Sequence, residues 1–233
     1  MPNISDAKQI MWGSKPVKEV RHGSTLVWPP PLKTWVVDFE TPGTHTINVP
    51  DGATHFHFWL SAGGNAGQRG DGALGKAGLG GRGGQVYLHT NRPVGGAKTG
   101  TVVIGKGGVE PNYAGEVSSL TIGSYSVTNL QHKNLFNYTS DGDTEGFLST
   151  DPNKEALIRV PNMIGDGKIV TRDDGSIWNG PPGKYVNNTG TPGVRGGGGS
   201  GGAGGIFGSY RAGGPGGDGF CRIVFTNQQI QTP

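Results

Sequence analysis

Residues 193–208 read GVRGGGGSGGAGGIFG, with a glycine at every third position from Gly193 to Gly208. A spacing of three matches neither the 3.6-residue turn of an α-helix nor the two-residue repeat of a β-strand. It matches the left-handed polyproline II helix, which turns once every three residues and forms no internal hydrogen bonds. Glycine at each turn leaves one edge of such a helix bare, so that neighbouring backbones can approach and exchange hydrogen bonds. The stretch therefore predicts glycine helices packed side by side, which is an architectural feature rather than a catalytic one.

An earlier series of glycines has the same spacing. It slips by one position between Gly70 and Gly72 and then continues to Gly84. Collagen is disfavoured because a triple helix needs a long, unbroken and proline-rich register. A flexible linker is disfavoured because strand-like runs border the glycines. The predicted structural glycines are Gly64, Gly67, Gly70, Gly72, Gly75, Gly78, Gly81, Gly84, Gly193, Gly196, Gly199, Gly202, Gly205 and Gly208.

The composition limits the size of the core and the range of partners. Glycine accounts for 46 of 233 residues and the apolar fraction is 32%, so the missing stability must come from backbone hydrogen bonds, from oligomerisation or from both. The net charge of +3 is spread along the chain, which disfavours a nucleic-acid partner. The single Cys221 excludes an internal disulfide, and no spacing suggests a zinc site. We expect no cofactor, no membrane span and synthesis in a cytoplasm without a secretion signal.

Two units are expected along the chain. Residues 1–31 contain short apolar runs separated by turn residues and followed by three prolines, which predicts a small β meander and a stiff spacer. A unit of this size cannot bury a core of its own, so we predict that it anchors the protein to a partner. Residues 32–233 show strand patterns without helical periodicity. The predicted fold class is all-β: a small antiparallel β-sandwich with inserted polyglycine helices of the polyproline II type, plus the N-terminal β module.

Two strand patterns predict which side chains form the core. Residues 55–60 alternate, which places Phe56, Phe58 and Leu60 on one face and His55, His57 and Trp59 on the other. In the last strand we expect Cys221, Ile223 and Phe225 to face inward. His55 and His57 share a face and could in principle bind a metal, but solvated strand residues are the commoner case.

Recognition residues are sought among aromatic side chains on loops, because aromatic rings offer a large contact area at low entropic cost and stack on sugars. Tyr210 is the first candidate, since it lies where the second series of glycines loses its spacing. The alternative is that Phe207 and Tyr210 cover an apolar seam between glycine helices. Residues 131–189 form a long polar excursion, which either binds a partner or packs over the sandwich. The other candidates are Phe207, Trp178, Tyr185, Tyr113 and Tyr138.

Motifs for nucleotide, calcium and catalytic sites are incomplete. Residues 70–75 satisfy the GxGxxG pattern, and Lys76 follows as in a phosphate-binding loop, but Ala77 stands where Ser or Thr would bind magnesium. Both motifs need a helix after the loop, and the glycines that follow disfavour one. Residues 141–146 look like the start of a calcium loop, although Pro152 occupies the position of the bidentate glutamate. No nucleophile elbow or carboxylate pair marks an active site, so we expect a protein that is not an enzyme.

Four motifs follow one another in a fixed order: TPGTHTINVPDG at 41–52, AGG at 62–64, TVVIGKGG at 101–108 and AGGPGGDGF at 212–220. This order, over residues 41–225, resembles the glycine-rich domain of bacteriophage tail proteins. Residues 10–28 are similar to a short β module of phage minor tail proteins. The glycine ladders are similar in kind to those of glycine-rich tail-fibre adhesins. Certain animal receptor kinases share such ladders, but the lack of disulfides and of a signal sequence disfavours that group.

The resemblance implies a minor tail or tail-tip protein of the virion, assembled in the host cytoplasm. Its N-terminal module would dock on other tail proteins, and its loops would contact a glycan or protein of the host surface. Tail fibres and spikes are commonly threefold, which favours a homotrimer. One alternative is a purely structural tail subunit without receptor contact. Another is a carbohydrate-active depolymerase, which would need paired carboxylates around a groove.

Overall fold

The computed structural model describes residues 32–72, 75–129, 135–137, 189–190, 192–193, 195–205 and 209–230, together with short strands at 11–12, 15–16, 20–22, 25–28 and 148–149. All regular secondary structure within these residues is β. The predicted all-β fold class is therefore confirmed.

Fifteen strands are assigned in the described residues. In chain order they are β1 (Met11–Trp12), β2 (Lys15–Pro16), β3 (Val20–His22), β4 (Thr25–Trp28), β5 (Thr34–Phe39), β6 (Gly43–Asn48), β7 (His55–Ser61), β8 (Gly80–Gly81), β9 (Val86–Pro93), β10 (Thr99–Ile104), β11 (Ser119–Ile122), β12 (Tyr125–Thr128), β13 (Phe136–Asn137), β14 (Leu148–Ser149) and β15 (Phe220–Thr226).

Two larger sheets form the framework. The first has the strand order β14-β9-β7-β15-β5, and the second has the order β12-β11-β10-β6. Neighbouring strands in both sheets are antiparallel, except that β14 runs parallel to β9. In the N-terminal region β1 pairs with β2 and β3 pairs with β4 as two separate antiparallel sheets.

The core lies between the inner faces of the two larger sheets. Phe56 and Phe58 of β7 pair with Phe225 and Ile223 of β15, and all four side chains are fully buried. They join one apolar cluster with residues of the second sheet, and both phenylalanine rings lie 5.7 Å from the ring of Tyr125. The inward orientation predicted for Cys221, Ile223 and Phe225 agrees with this packing. The buried members from the second sheet are Ile47, Val102, Ile104, Leu120 and Ile122.

The opposite face of β7 is buried as well: Trp59 is fully buried, and the expectation of a solvated side chain is wrong for His57. The backbone N–H of Asn91 donates to His57 Nδ1 at 3.1 Å, and His57 Nε2 lies 3.3 Å from the hydroxyl of Thr226. Asn91 has a positive φ of 51° at the point where the β7–β9 register shifts. Its side chain bonds both backbone groups of Ile230. The alternation of residue types predicts that β7 has two faces. It cannot predict the β-bulge at Asn91 or the C-terminal segment bound to it, both of which lie next to the face that carries His57.

This burial gives His57 a predictable effect on stability. Burial, with a smaller contribution from nearby His55, lowers the pKa of His57 from 6.5 to about 4. The unfolded chain therefore takes up a proton near pH 6.5, whereas the folded protein resists it down to about pH 4. We expect the contribution of His57 to be complete above pH 6.5 and to fall by up to about 3 kcal/mol as the pH drops to 4.

Denaturant unfolding at several pH values measures this effect, and His57→Asn provides the matched control. Asparagine cannot ionise in this range and retains an acceptor for the N–H of Asn91. Carboxylates contribute to the acid sensitivity of both proteins, so the difference between the two pH profiles isolates His57. Parallel profiles between pH 6.5 and 4 would contradict the prediction.

Three glycine-rich hairpins leave the sandwich at one end, and we call them together the glycine bundle. Their arms are residues 62–71 and 75–85, residues 196–205 and 211–219, and residues 105–108 and 113–116. In the first arm of the first hairpin, every third residue donates a backbone hydrogen bond to the second arm, with N···O distances of 2.7 to 2.9 Å. These bonds run from Ala62 to Gln85, Asn65 to Arg82, Gln68 to Leu79 and Asp71 to Lys76. The second hairpin is closed with the same spacing, from Arg211 to Ala203, Gly214 to Ser200 and Gly217 to Gly197.

The hairpins are joined to one another with the same period of three. Gly75, Gly78, Gly81 and Gly84 donate to the arm at 196–205, and Gly199, Gly202 and Gly205 of that arm donate to the arm at 62–71. The slip in glycine spacing between Gly70 and Gly72 coincides with the turn between the first two arms, where Gly75 has a φ of +69°. The slip is therefore a chain reversal.

Glycine is required where these backbones meet. A Cβ atom on Gly64, Gly67 or Gly70 would lie closer than 3.0 Å to a carbonyl oxygen of the arm at 196–205. Real Cβ atoms almost never come so close to another atom, so these positions exclude any side chain. Lateral packing of glycine edges is thus present in the fold. The left-handed three-residue conformation of the individual arms stays a prediction, and Gly208 lies outside the described residues.

Candidate functional site

The strand register places the glycine bundle at one end of the first sheet. The point where the chain enters β5 from its N-terminal region, which we call the chain entry, lies at the other end. Ser61 pairs with Phe220 where the bundle begins, whereas Thr34 and His55 both pair with Thr226 at the far end of β15. The chain enters β5 at that far end, where the N–H of Lys33 donates to the side chain of Asn227 at 2.8 Å. The outer turns of the bundle are therefore separated from the N-terminal entry by the length of the sheet and of the bundle arms.

Residues at the outer end of the first hairpin and Tyr210 of the second line an open pocket of about 430 Å³, which we call the tip cavity. Its volume falls within the range of roughly 300 to 1,000 Å³ typical of small-molecule sites. The side chains that line it are mostly polar or charged. The lining residues are Gln68, Arg69, Gly70, Asp71, Gly72, Lys76, Ala77 and Tyr210.

Arg69 connects the tip cavity to the third hairpin. Its guanidinium carbon lies 5.0 Å from the centre of the Tyr210 ring, a cation–π geometry. The same guanidinium group lies 3.8 Å from the carboxylate of Glu110. Burial, followed by the nearby Glu110 carboxylate, raises the pKa of Tyr113 above its ordinary value. The Tyr113 hydroxyl therefore stays protonated and uncharged at neutral pH. The cationic side chains in the lining of the tip cavity are those of Arg69 and Lys76.

The two described recognition candidates occupy different environments. Tyr210 lines the tip cavity with 48% of its surface exposed, which makes it available for contact. Tyr113 is half-buried, and its ring meets that of Phe136 edge-on with centres 5.2 Å apart. Packing therefore accounts for Tyr113 more directly than recognition does. The candidates Phe207, Trp178, Tyr185 and Tyr138 lie outside the described residues.

The nucleotide-like motif at residues 70–76 forms part of the tip cavity but lacks the geometry of a phosphate-binding loop. The N–H groups of Gly70, Asp71 and Gly75 donate to backbone carbonyls within the bundle. A phosphate-binding loop instead points such groups at its ligand and continues into a helix. Residues 75–85 continue here as an arm of the bundle that includes β8.

Other site types have little support in the described part of the chain. His, Cys, Asp and Glu residues do not come together there in groups of three or more suited to a metal ion. His55 and His57 lie on one face as predicted, but hydrogen bonds to Asn91 and Thr226 engage His57. The calcium-like sequence at 141–146 lies outside the described residues. The described residues also contain no apolar helix of membrane-spanning length.

No protein-family model matches the chain, and no curated protein matches it significantly.

Sequence patterns missed the charged residues of the site. Arg69 was not singled out, because it is an ordinary polar position between glycines of the series, and Lys76 was considered only as part of an incomplete phosphate-binding loop. The available signal was the slip at Gly70 and Gly72: it marks a turn, and loops on a rigid framework are where binding residues concentrate. Asn65 was missed as well, although it is buried, donates to the carbonyl of Leu135 and accepts from the N–H of Gly115.

Proposed function

We propose that the protein is a minor tail or tail-tip component of a bacteriophage virion that displays loops for host-surface recognition. Residues 1–31 dock on other tail proteins, and the tip cavity faces the host. The protein acts by binding, without covalent chemistry, and works as a homo-oligomer, with a trimer favoured by its resemblance to tail fibres and spikes. The proposal rests on that resemblance and on the arrangement of the fold.

The observation that carries the proposal is the separation of the chain entry from the tip cavity. An anchor that joins the sheet at Lys33 meets the end opposite the bundle. If the arm at 62–71 follows the three-residue helix, its ten residues extend about 30 Å beyond the sheet. Backbone hydrogen bonds at every third residue make such an extension rigid. A rigid arm that ends in a cavity with an exposed aromatic ring suits display better than a purely internal structural role.

The full-length protein provides the test. Purified protein at micromolar concentration should slow adsorption of the phage to its host several-fold, because it occupies the same receptors. Antibodies against it should label the distal end of the tail in electron micrographs. Label on the tail without competition for adsorption would indicate the structural-subunit alternative. Release of reducing sugars from host envelopes would indicate the depolymerase alternative.

A further inference from the structure

We propose that β5 is a contact strand through which two copies of this chain pair edge to edge, antiparallel, about a two-fold axis at Val36. β5 is the last strand of the first sheet and pairs with β15 on one side only. Its free edge is a surface separate from the tip cavity, so the pairing does not depend on host recognition. The features of β5 that support it are the directions of its backbone groups, its exposed side chains and its symmetry.

Alternate residues of β5 direct their backbone groups away from β15. The N–H of Lys33 donates to the side chain of Asn227, and its carbonyl accepts from the N–H of Asn227 at 3.4 Å, so Lys33 faces the β15 side. Backbone directions alternate along an antiparallel strand. Thr34, Val36 and Asp38 therefore point their N–H and C=O groups to the open edge. Among the described residues, no strand pairs with that edge.

β5 lacks the features that usually protect an edge strand. Its sequence TWVVDF contains no proline, and its register with β15 is regular along the whole strand. Unpaired edge strands commonly carry a proline, a bulge or a charged side chain. The charged residue of β5, Asp38, is bound by Arg222 of the neighbouring strand. Val36 in mid-strand is 39% exposed and Leu32 just before the strand is 42% exposed, so an apolar edge is open to a further strand.

The residues that point outward are arranged symmetrically about Val36. In a two-fold antiparallel pair, Val36 lies opposite the Val36 of the second copy, and Thr34 lies opposite its Asp38. Pairs of this kind exchange two hydrogen bonds each, so every outward-pointing backbone group of these three residues gains a partner. On the core face, Trp35 lies opposite Val37 of the second copy, an aromatic–β-branched pair that stabilises sheets. Both side chains are only partly buried in one copy, so the contact also removes apolar surface from water.

The charges at the two ends of the segment favour the antiparallel orientation. Lys33 is exposed just before β5. Glu40, just after β5, keeps 53% of its side chain exposed although it contacts Arg195 of its own copy. Antiparallel pairing separates the two copies of Lys33 by the length of the strand and brings each near the Glu40 of the other copy. Parallel pairing would place lysine beside lysine, which destabilises a strand pair.

The mass of the full-length protein in solution provides the first test. Analytical ultracentrifugation at micromolar concentrations should show two copies in reversible equilibrium with one, because a contact through one strand is smaller than the interfaces of permanent dimers. A two-fold contact gives a dimer, which differs from the trimer that resemblance favours. Protein that remains a single copy at its highest soluble concentration would overturn the proposal. A trimer would also overturn it, while leaving the homo-oligomer of the proposed function in place.

Variants at the axis provide the second test. Val36→Lys and Val36→Glu each place like charges opposite one another at the axis and should weaken self-association at least about tenfold. An equimolar mixture of the two variants should restore the dimer, because opposite charges then meet. Val36→Thr keeps the β-branched shape and should associate nearly as wild type. Since Val36 is partly exposed, the melting temperature of the dilute single copy should stay close to that of wild type in all three variants.

Thr46→Lys is the matched control. Thr46 is exposed in the middle of β6, which is the edge strand of the second sheet, so its replacement should leave self-association unchanged. Weakening by Thr46→Lys but not by Val36→Lys would place the contact on the other sheet and overturn the proposal. Failure of the mixed Val36 variants to pair would also overturn it, since Val36 would then not lie at a two-fold axis.

Discussion

Gly202→Ala should abolish folding, even though it adds only one methyl group. Gly202 lies between three arms of the bundle: its N–H donates to Gln68, its carbonyl accepts from Gly78, and a Cβ would collide with the backbone oxygen of Arg211. A methyl group has no rotamer that avoids this clash, so the arms must separate. Each buried backbone group that loses its partner costs about 1 to 3 kcal/mol. A few such losses consume most of the roughly 5 to 15 kcal/mol that stabilises a typical domain. Circular dichroism, thermal unfolding and the soluble yield measure the effect.

Gly75→Ala is the matched control within the same bundle. Gly75 has a φ of +69°, and a Cβ there would meet nothing within 4 Å. Alanine at such a position costs about 1 to 2 kcal/mol of backbone strain without any clash. The control should therefore fold with a melting temperature lowered by several degrees. The bulkier Gly199→Val and Gly202→Val should give insoluble protein. Melting of Gly202→Ala within a few degrees of the Gly75→Ala control would show that close packing of the arms does not hold the fold.

The sequence predicted local features of the fold well, because they depend on spacing alone. The period of three marked positions such as Gly67 and Gly202, where the structure places neighbouring backbones in contact. The alternation in β7 placed Phe56 and Phe58 on one face, and the structure buries both in the core. Which arms are neighbours depends on chain reversals and on hydrogen bonds between residues more than a hundred positions apart, such as Gln68 and Gly202. Spacing carries no information about such pairings.

The same limit explains what was missed. The burial of His57 depends on the shifted register at Asn91, which a two-residue alternation cannot show. The tip cavity forms because Tyr210 lies next to residues that precede it by more than a hundred positions, among them Arg69 and Lys76. Tyr210 was identified as a recognition candidate, since it lies where the glycine spacing breaks. Its contact with a receptor stays a prediction.

Asp38→Ala should lower the free energy of unfolding by about 3 kcal/mol, the second largest effect that we expect. Asp38 lies directly opposite Arg222 in the β5–β15 pair, and its two oxygens accept from the guanidinium Nε and Nη2 at 2.7 Å. The Arg222 side chain is only 4% exposed, whereas that of Asp38 is 31% exposed. Removal of one partner from a buried pair typically costs about 3 to 5 kcal/mol, because the remaining buried charge loses its opposite charge. The partial exposure of Asp38 places the expected value at the lower end of that range.

Two comparisons separate this effect from a general sensitivity of the sheet. Asp51 pairs with Lys98 at 3.3 Å, but the side chains are 97% and 79% exposed, so Asp51→Ala should change stability by less than about 1 kcal/mol. Replacement of both partners, Asp38→Ala with Arg222→Met, should recover much of the loss, since no buried charge then remains. Urea unfolding with an unchanged m-value measures all three variants on one scale. A double variant less stable than Asp38→Ala would mean that the Arg222 side chain stabilises β15 mainly through its other contacts, such as that with the Phe220 ring at 6.0 Å.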